Sequence, residues 1–184
     1  MIALHMLEVR DCMSKLLLSD IFDAFLFIEG DITTFNTFHL DGYLKKDFFD
    51  TEEALSRFSS REYSLWKEVR TLCYTIIKGK KTPLGFKFVF CLSGENTSRL
   101  LVQEGLSFSP EDVRGLYLNL SFDGSTLHCV TGTSMNTFTM DKSLEHAWDT
   151  MVQRFFKQKQ MPFEVLLRSR SKLYLLPKFV FFIL

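Results

Sequence analysis

The chain reads as an α+β protein built from two related strand-helix-meander halves, with antiparallel sheets and helices packed on one face. Three observations predict this. First, a twelve-residue stretch recurs one hundred positions downstream. Thr33-Thr34-Phe35-Asn36-Thr37-Phe38-His39-Leu40-Asp41-Gly42-Tyr43-Leu44 and Thr133-Ser134-Met135-Asn136-Thr137-Phe138-Thr139-Met140-Asp141-Lys142-Ser143-Leu144 share Thr, Asn, Thr, Phe, Asp and Leu. Unrelated stretches of this length share about one residue, so the pattern reads as an internal duplication. Second, segments of period-two apolar alternation separated by turn signals sit beside segments of helical spacing, the mark of α+β rather than α/β organisation. Third, 46% hydrophobic residues, with 20 Phe among them, are enough for a large, aromatic core.

Taken in order, Ile2 to Leu7 alternates as a short strand, and Val9 to Leu18 sets Val9, Met13, Leu16 and Leu17 on one helical face. Ala24 to Glu29 and Ile32 to Leu40 read as two strands, the second closing at the Asp41-Gly42 turn signal. Tyr43 to Phe49 extends the meander. A polar stretch from Asp50 to Ser60 leads into a helix over about 61–77, with Trp66, Val69, Cys73 and Ile76/Ile77 as its apolar stripe. Lys78-Gly79-Lys80-Lys81 ends that helix. Glycine suits the C-terminal position, cations suit the negative end of the dipole, and Pro83 bars continuation.

The second half opens on Phe86 to Leu92, where Phe86, Phe88 and Phe90 alternate with Lys87, Val89 and Cys91. Ser93-Gly94-Glu95-Asn96 starts a helix to about Glu104, closed by Gly105. Ser109-Pro110-Glu111-Asp112 is a turn or a single helical turn. Leu116 to Phe122 is a strand, Asp123-Gly124 the hairpin signal, Thr126 to Thr131 the returning strand, and Asn136 to Met140 a further one. Ser143 to about Lys157 is a helix with Leu144, Ala147/Trp148, Met151/Val152 and Phe155 on its apolar face.

This gives one domain over residues 1–164, with 1–60 and 84–158 as the related halves, 61–83 as the connecting helix and loop, and 165–184 as an apolar and basic tail. Net charge is zero, but residues 1–149 sum to −6 and residues 150–184 to +6. An acidic body gives no bulk attraction to nucleic acid. Cys12, Cys73, Cys91 and Cys129 lie singly in apolar segments without metal-knuckle spacing, as expected of buried free thiols in a reducing compartment. The start MIALHMLEV lacks the basic region and cleavage site of a signal peptide, so a cytoplasmic location is expected. The tail's apolar run, about a dozen residues, is interrupted by Pro177 and Lys178 and is too short to span a bilayer. Phe179 to Leu184 has high β-propensity and no charged side chain, and invites self-association.

The stretch from Met1 to about Gln158 resembles a family of uncharacterised short proteins from anaerobic Gram-positive bacteria, classed as a domain of unknown function. The resemblance is carried by Met1-Ile2-Ala3-Leu4, Thr33-Thr34-Phe35-Asn36-Thr37-Phe38, Lys46-Asp47-Phe48-Phe49, Ile77-Lys78-Gly79-Lys80-Lys81, Pro110-Glu111-Asp112-Val113-Arg114-Gly115-Leu116-Tyr117-Leu118-Asn119 and Thr137-Phe138-Thr139-Met140-Asp141-Lys142. It implies no activity, and the tail from about Val165 departs from it. The run from Leu116 to Thr133 is similar to a hairpin of the bacterial sliding clamp, whose domains are duplicated strand-helix-meander units. At the clamp's Ala-Thr-Asp-Gly position stands Val130-Thr131-Gly132, without the Asp. That resemblance implies a clamp-like fold and an association with DNA metabolism.

Two groups of residues are candidate sites. Asn36, Asp41, Asn136 and Asp141 recur in both copies and would form a paired polar site if the copies met at a pseudo-twofold axis. The structural alternative makes the asparagines bulge or edge residues and the aspartates turn formers. Lys78, Lys80 and Lys81, with Lys45 and Lys46 elsewhere, are the candidate anion-binding residues; the alternative is a solvated loop closing a helix. His5, His39, His128 and His146 lack metal-ligand spacing, so no metal or other cofactor is expected. No nucleophile elbow, Cys-His pairing or phosphate loop is present. The expected function is therefore a non-enzymatic binding or scaffold module, clamp-like, with protein or nucleic acid as partner. The alternative is a small cytosolic enzyme with its site between the two halves.

Overall fold

The computed structural model describes residues 1–52, 56, 58 and 61–166. Its centre is the phenylalanine-alternating strand. Among the described residues there are eight strands: β1 (Ala3–Met6), β2 (Leu26–Thr33), β3 (Thr37–Asp41), β4 (Ser64–Leu65), β5 (Gly85–Cys91), β6 (Val113–Phe122), β7 (Leu127–Met135) and β8 (Phe163–Val165). Four helices accompany them: α1 (Val9–Leu18), α2 (Trp66–Ile77), α3 (Gly94–Gln103) and α4 (Ser143–Gln158). The strands form one sheet in the order β3-β2-β5-β6-β7-β1-β8, with β4 pairing β2, and every pairing is antiparallel. The α+β class read from the sequence is what the structure has.

Period-two alternation decides which face is buried. Leu4 and Met6 of β1, Phe86, Phe88 and Phe90 of β5, Leu116, Leu118, Leu120 and Phe122 of β6, and Leu127 and Cys129 of β7 all turn inward. The helices cover that face with the stripes their spacing foretells: Cys12, Leu16 and Leu17 from α1, Trp66, Cys73 and Ile77 from α2, and Leu144, Trp148, Val152 and Phe156 from α4. Trp66 is the aromatic hub, with ring centroids 5.5, 5.2 and 5.1 Å from those of Phe27, Phe88 and Phe90. Such pairs add about 0.5–1.5 kcal/mol each beyond buried area. Both indoles are satisfied: Trp66 Nε1 donates to the Leu16 carbonyl at 2.8 Å and Trp148 Nε1 to the Tyr117 carbonyl at 3.0 Å. All four cysteines are buried free thiols, and burial pushes Cys73 up to about 12, far from a reactive thiolate.

Several boundaries move for physical reasons. Gly30-Asp31 does not break the first meander; β2 runs through it. A Cβ at Gly30 would stand 2.6 Å from Cδ1 of Phe88, so this glycine makes room for an aromatic ring and does not turn the chain. A bulge between Phe27 and Glu29 lets Phe27 and Gly30, three residues apart, both face the core. The helix expected over 61–77 begins at Trp66, because Ser64 and Leu65 pair with β2. Asn136 to Met140 is not a strand; β7 ends at Met135.

The two copies of the sequence repeat do not fall on matching elements. Thr37–Asp41 is an edge strand, whereas the stretch after Met135 runs without strand pairing into α4. Phe38 is half-buried and Phe138 is 91% exposed, so the two are not equivalent core positions. β1 lies between β7 and β8 and not beside β2, whereas β5 lies beside both β2 and β6. The sheet also runs past residue 164. Val165 pairs with Leu4, and the Leu166 N–H donates to the Ala3 carbonyl at 2.8 Å. The remainder of the expected tail, 167–184, lies outside the described residues.

Candidate anion-binding cleft

Three elements meet at one end of the sheet. α2 stops at Ile77; Lys78 turns extended, with φ −60° and ψ 133°, and its N–H donates to the Tyr74 carbonyl at 2.7 Å. The chain then crosses Gly79, Lys80, Lys81 and Thr82 to the buried Pro83, and the Leu84 N–H ties the loop to the Thr33 carbonyl at 2.9 Å. From the helical layer, α1 presents Val9, Arg10 and Met13 along one side of its first turns. The third wall is the β6–β7 turn. There Asp123 accepts from the Ser125 and Thr126 N–H groups at 3.0 and 2.7 Å and from both hydroxyls at 2.9 and 2.7 Å. Those donors hold its carboxyl far below the usual range. Gly124 takes φ +95°, which this turn requires. Together the walls enclose a cleft of about 470 Å³ that reaches Phe122.

The cleft is cationic. Arg10, Lys78, Lys80 and Lys81 line it, all exposed, and no Asp or Glu does. Elsewhere Lys15, Lys45, Arg61, Arg70, Arg99 and Arg154 each face a carboxylate, while other surface cations such as Lys67 and Lys87 stand singly rather than gathered. Asp11, the acid beside Arg10, is held by Lys15 at 2.7 Å. A role in closing α2 accounts for Lys78, at the negative end of that helix. It does not account for Arg10, which sits in the first turn of α1, where the helix dipole disfavours a cation by about 0.3–1 kcal/mol. Four cations beside one carboxylate, Asp123 of the third wall, leave a net positive charge that attracts an anion.

The structure brings together Lys78, Lys80 and Lys81 and adds Arg10, which sequence reading missed. The one signal for Arg10 was a basic residue at the unfavourable end of a helix. Lys45 and Lys46 stand elsewhere, on the stretch after β3, where Lys45 bonds Asp41 at 3.1 Å. The other four candidates do not converge. Asn36 is in the β2–β3 turn, at the sheet end where Thr33 pairs Gly85; Asn136 follows Met135, at the opposite end, where Met135 pairs Val113. Asn136 bonds locally: its Nδ2 donates to the Glu111 carbonyl at 2.6 Å and its N–H to the Asp112 carbonyl at 2.8 Å. Asp41 accepts from the Tyr43 N–H at 2.9 Å, and Asp141 from the Ser143 N–H at 2.8 Å. These contacts hold both carboxyls below their ordinary values, with Lys45 assisting at Asp41.

The uncovered face of the sheet carries a polar row that spans seven strands in register: His39, Asp31, Lys87, Ser121, His128, His5 and Glu164. His39 Nδ1 lies 2.8 Å from Asp31 Oδ1, which raises the His39 pKa, and the His5 and His128 rings stand 5.3 Å apart. Among the described residues no group of three His, Cys, Asp or Glu side chains could hold a metal ion, and no helix is long and apolar enough to cross a membrane. A model for a family of unknown function (DUF5721) matches residues 15–164. No curated protein and no solved structure matches the chain.

Proposed function

We propose, from the premise that this chain belongs to the DUF5721 family of unknown function, that it is a non-enzymatic binding module whose cleft between α1, the 78–83 loop and the β6–β7 turn takes a small multivalent anion. The observation that carries this reading is the gathering of Arg10, Lys78, Lys80 and Lys81 around one cleft in whose walls Asp123 is the one carboxylate, held by its own turn. Binding is favoured over catalysis because no His or Cys lines the cleft, and the one carboxylate in its walls, Asp123, is occupied by four hydrogen bonds from its own turn. A small ligand is favoured over a nucleic-acid strand because the surrounding body, residues 1–149, carries a net −6 and repels a long polyanion. The cleft volume of about 470 Å³ lies in the range of small-molecule sites, about 300–1,000 Å³.

Isothermal titration with inorganic tripolyphosphate at low ionic strength tests the reading. Saturable binding is expected, weakened at least tenfold in Lys80→Gln/Lys81→Gln and again in Arg10→Gln, with the melting temperature of each free variant unchanged. Salt should weaken it steeply. An unmodified protein that takes up no heat-detectable tripolyphosphate sinks the proposal.

A further inference from the structure

We infer that the anion is the phosphate chain of a nucleotide, its flat ring lying on the apolar floor of the cleft. This rests on the anion-binding reading above and names its ligand. The cleft has two chemistries arranged in layers. Its rim is charged and exposed: Arg10 from α1 and Lys78, Lys80 and Lys81 from the loop. Its floor is apolar and drawn from different elements, with Val9 and Met13 from α1, Ile77 from α2, and Phe122 from the end of β6. A site for phosphate alone has no use for such a floor, because an apolar surface beside a dianion lowers the local dielectric and solvates nothing. A ligand charged at one end and flat and apolar at the other matches both layers.

The floor is firm on one side and adaptable on the other. Phe122 is 6% exposed and stacks on Phe86, with centroids 5.5 Å apart and planes at 27°, so its position is fixed by the core. Met13 is half-buried and packs against the core edge, and its unbranched thioether shapes itself to an aromatic ring. The exposed hydroxyl of Thr82 stands on the same lining, a donor and acceptor of the kind a ribose needs, and that of Ser125, which donates to Asp123, can still accept. An acyl phosphate would need a channel for its chain. This cleft is open and its floor only a few side chains wide, which suits a ring.

Titration calorimetry at low ionic strength with ATP, GTP, inorganic tripolyphosphate and adenosine, each without added metal, separates the two claims. One nucleoside triphosphate is expected to bind at least tenfold more tightly than tripolyphosphate. Met13→Ala should bring nucleotide affinity down toward that of tripolyphosphate and leave tripolyphosphate affinity within twofold. Saturation-transfer NMR on the unmodified protein needs no variant: the base and ribose protons should receive saturation from protein methyl groups. Tripolyphosphate binding as tightly as both nucleotides, with unsaturated base protons, overturns the nucleotide inference and leaves the anion-binding reading standing. Absence of binding by every phosphate compound overturns both.

Discussion

The two copies of the repeated motif hold the same six residues and do different work. In the first, Thr33 ends β2, residues 34–36 turn the chain, and Thr37–Asp41 returns as an edge strand. In the second, Thr133 to Met135 ends β7, and the same Asn-Thr-Phe leads instead to the start of α4. What differs is the neighbour. Leu40 packs against the core edge, Phe38 meets the ring of Phe35, and β3 pairs along its whole length with β2. After Met135 the asparagine backbone and side chain are both taken by Asp112 and Glu111 at the head of β6, which turns the chain away from the sheet. What survives both contexts is the most local interaction. Asp41 and Asp141 each accept the N–H two residues on, and Asp123 does the same for Ser125. A short motif fixes its own turn chemistry; strand or helix is decided by what lies beside it.

Substitutions at matched positions can break this comparison. The largest difference is expected at the last residue of each copy. Leu144 is 2% exposed at the head of α4 and Leu44 is half-buried in a loop. Leu144→Ala should cost about 2–5 kcal/mol by urea unfolding, and Leu44→Ala under about 1.5 kcal/mol. Equal losses would show that the copies are equivalent after all. A smaller gap is expected for the phenylalanines. Phe38→Ala should cost about 1–2 kcal/mol, whereas Phe138→Ala, at a side chain 91% exposed, should stay within about 0.5 kcal/mol. A Phe138→Ala loss above that of Phe38→Ala would overturn the assignment.

The smallest effects lie in pH dependence, where one term is shared and one is not. Asp41 and Asp141 both have lowered pKa values, from the Tyr43 and Ser143 N–H groups respectively. Their contribution is present above the unfolded carboxyl value, about 3.9, and is lost as pH falls through the lower folded value. Asp41→Ala and Asp141→Ala should each flatten the acid limb of a melting-temperature profile between about pH 5 and 2. His39 is peculiar to the first copy, since Thr139 replaces it in the second. Its pKa is raised, chiefly by the bond to Asp31, so its contribution is present below about 6.5 and fades as pH rises through the folded value. His39→Thr should remove that alkaline decline. Both groups of the pair are well exposed, so the effect is small and screened by salt. An unchanged profile from pH 6 to 8.5 would mean that the Asp31 contact does not form in solution.

What the sequence made legible was the local part of the fold. Alternation identified β5 and β6, helical stripes identified α1, α2 and α4, and Ser93 and Asp123-Gly124 marked a cap and a hairpin that the structure contains. The two strands read on either side of Gly30-Asp31 are one strand, because this glycine makes room for the ring of Phe88, a long-range contact that the local pattern does not carry. The place of β1 beside β7 was not legible, because strand order is set by long-range pairing that periodicity does not encode. The lysine loop was visible as a charge run. Arg10 was not, because only the packing of α1 against α2 carries it across the intervening chain to the same cleft.

The position of β1 also bears on the order in which the chain can be assembled during synthesis. Its hydrogen-bond partners lie at residues 127–130, and its other edge waits for β8 at 163–165. At translation rates of about 5–20 residues per second, β1 waits for β7 for on the order of ten seconds. Until then Leu4 and Met6, both fully buried in the finished molecule, face water or a chaperone. β2, β3 and β5 can pair early, but the sheet closes only when almost the whole body has left the ribosome. Such non-local closure slows folding. It also makes any nascent fragment that ends before β7 an incomplete sheet with an open edge, prone to association.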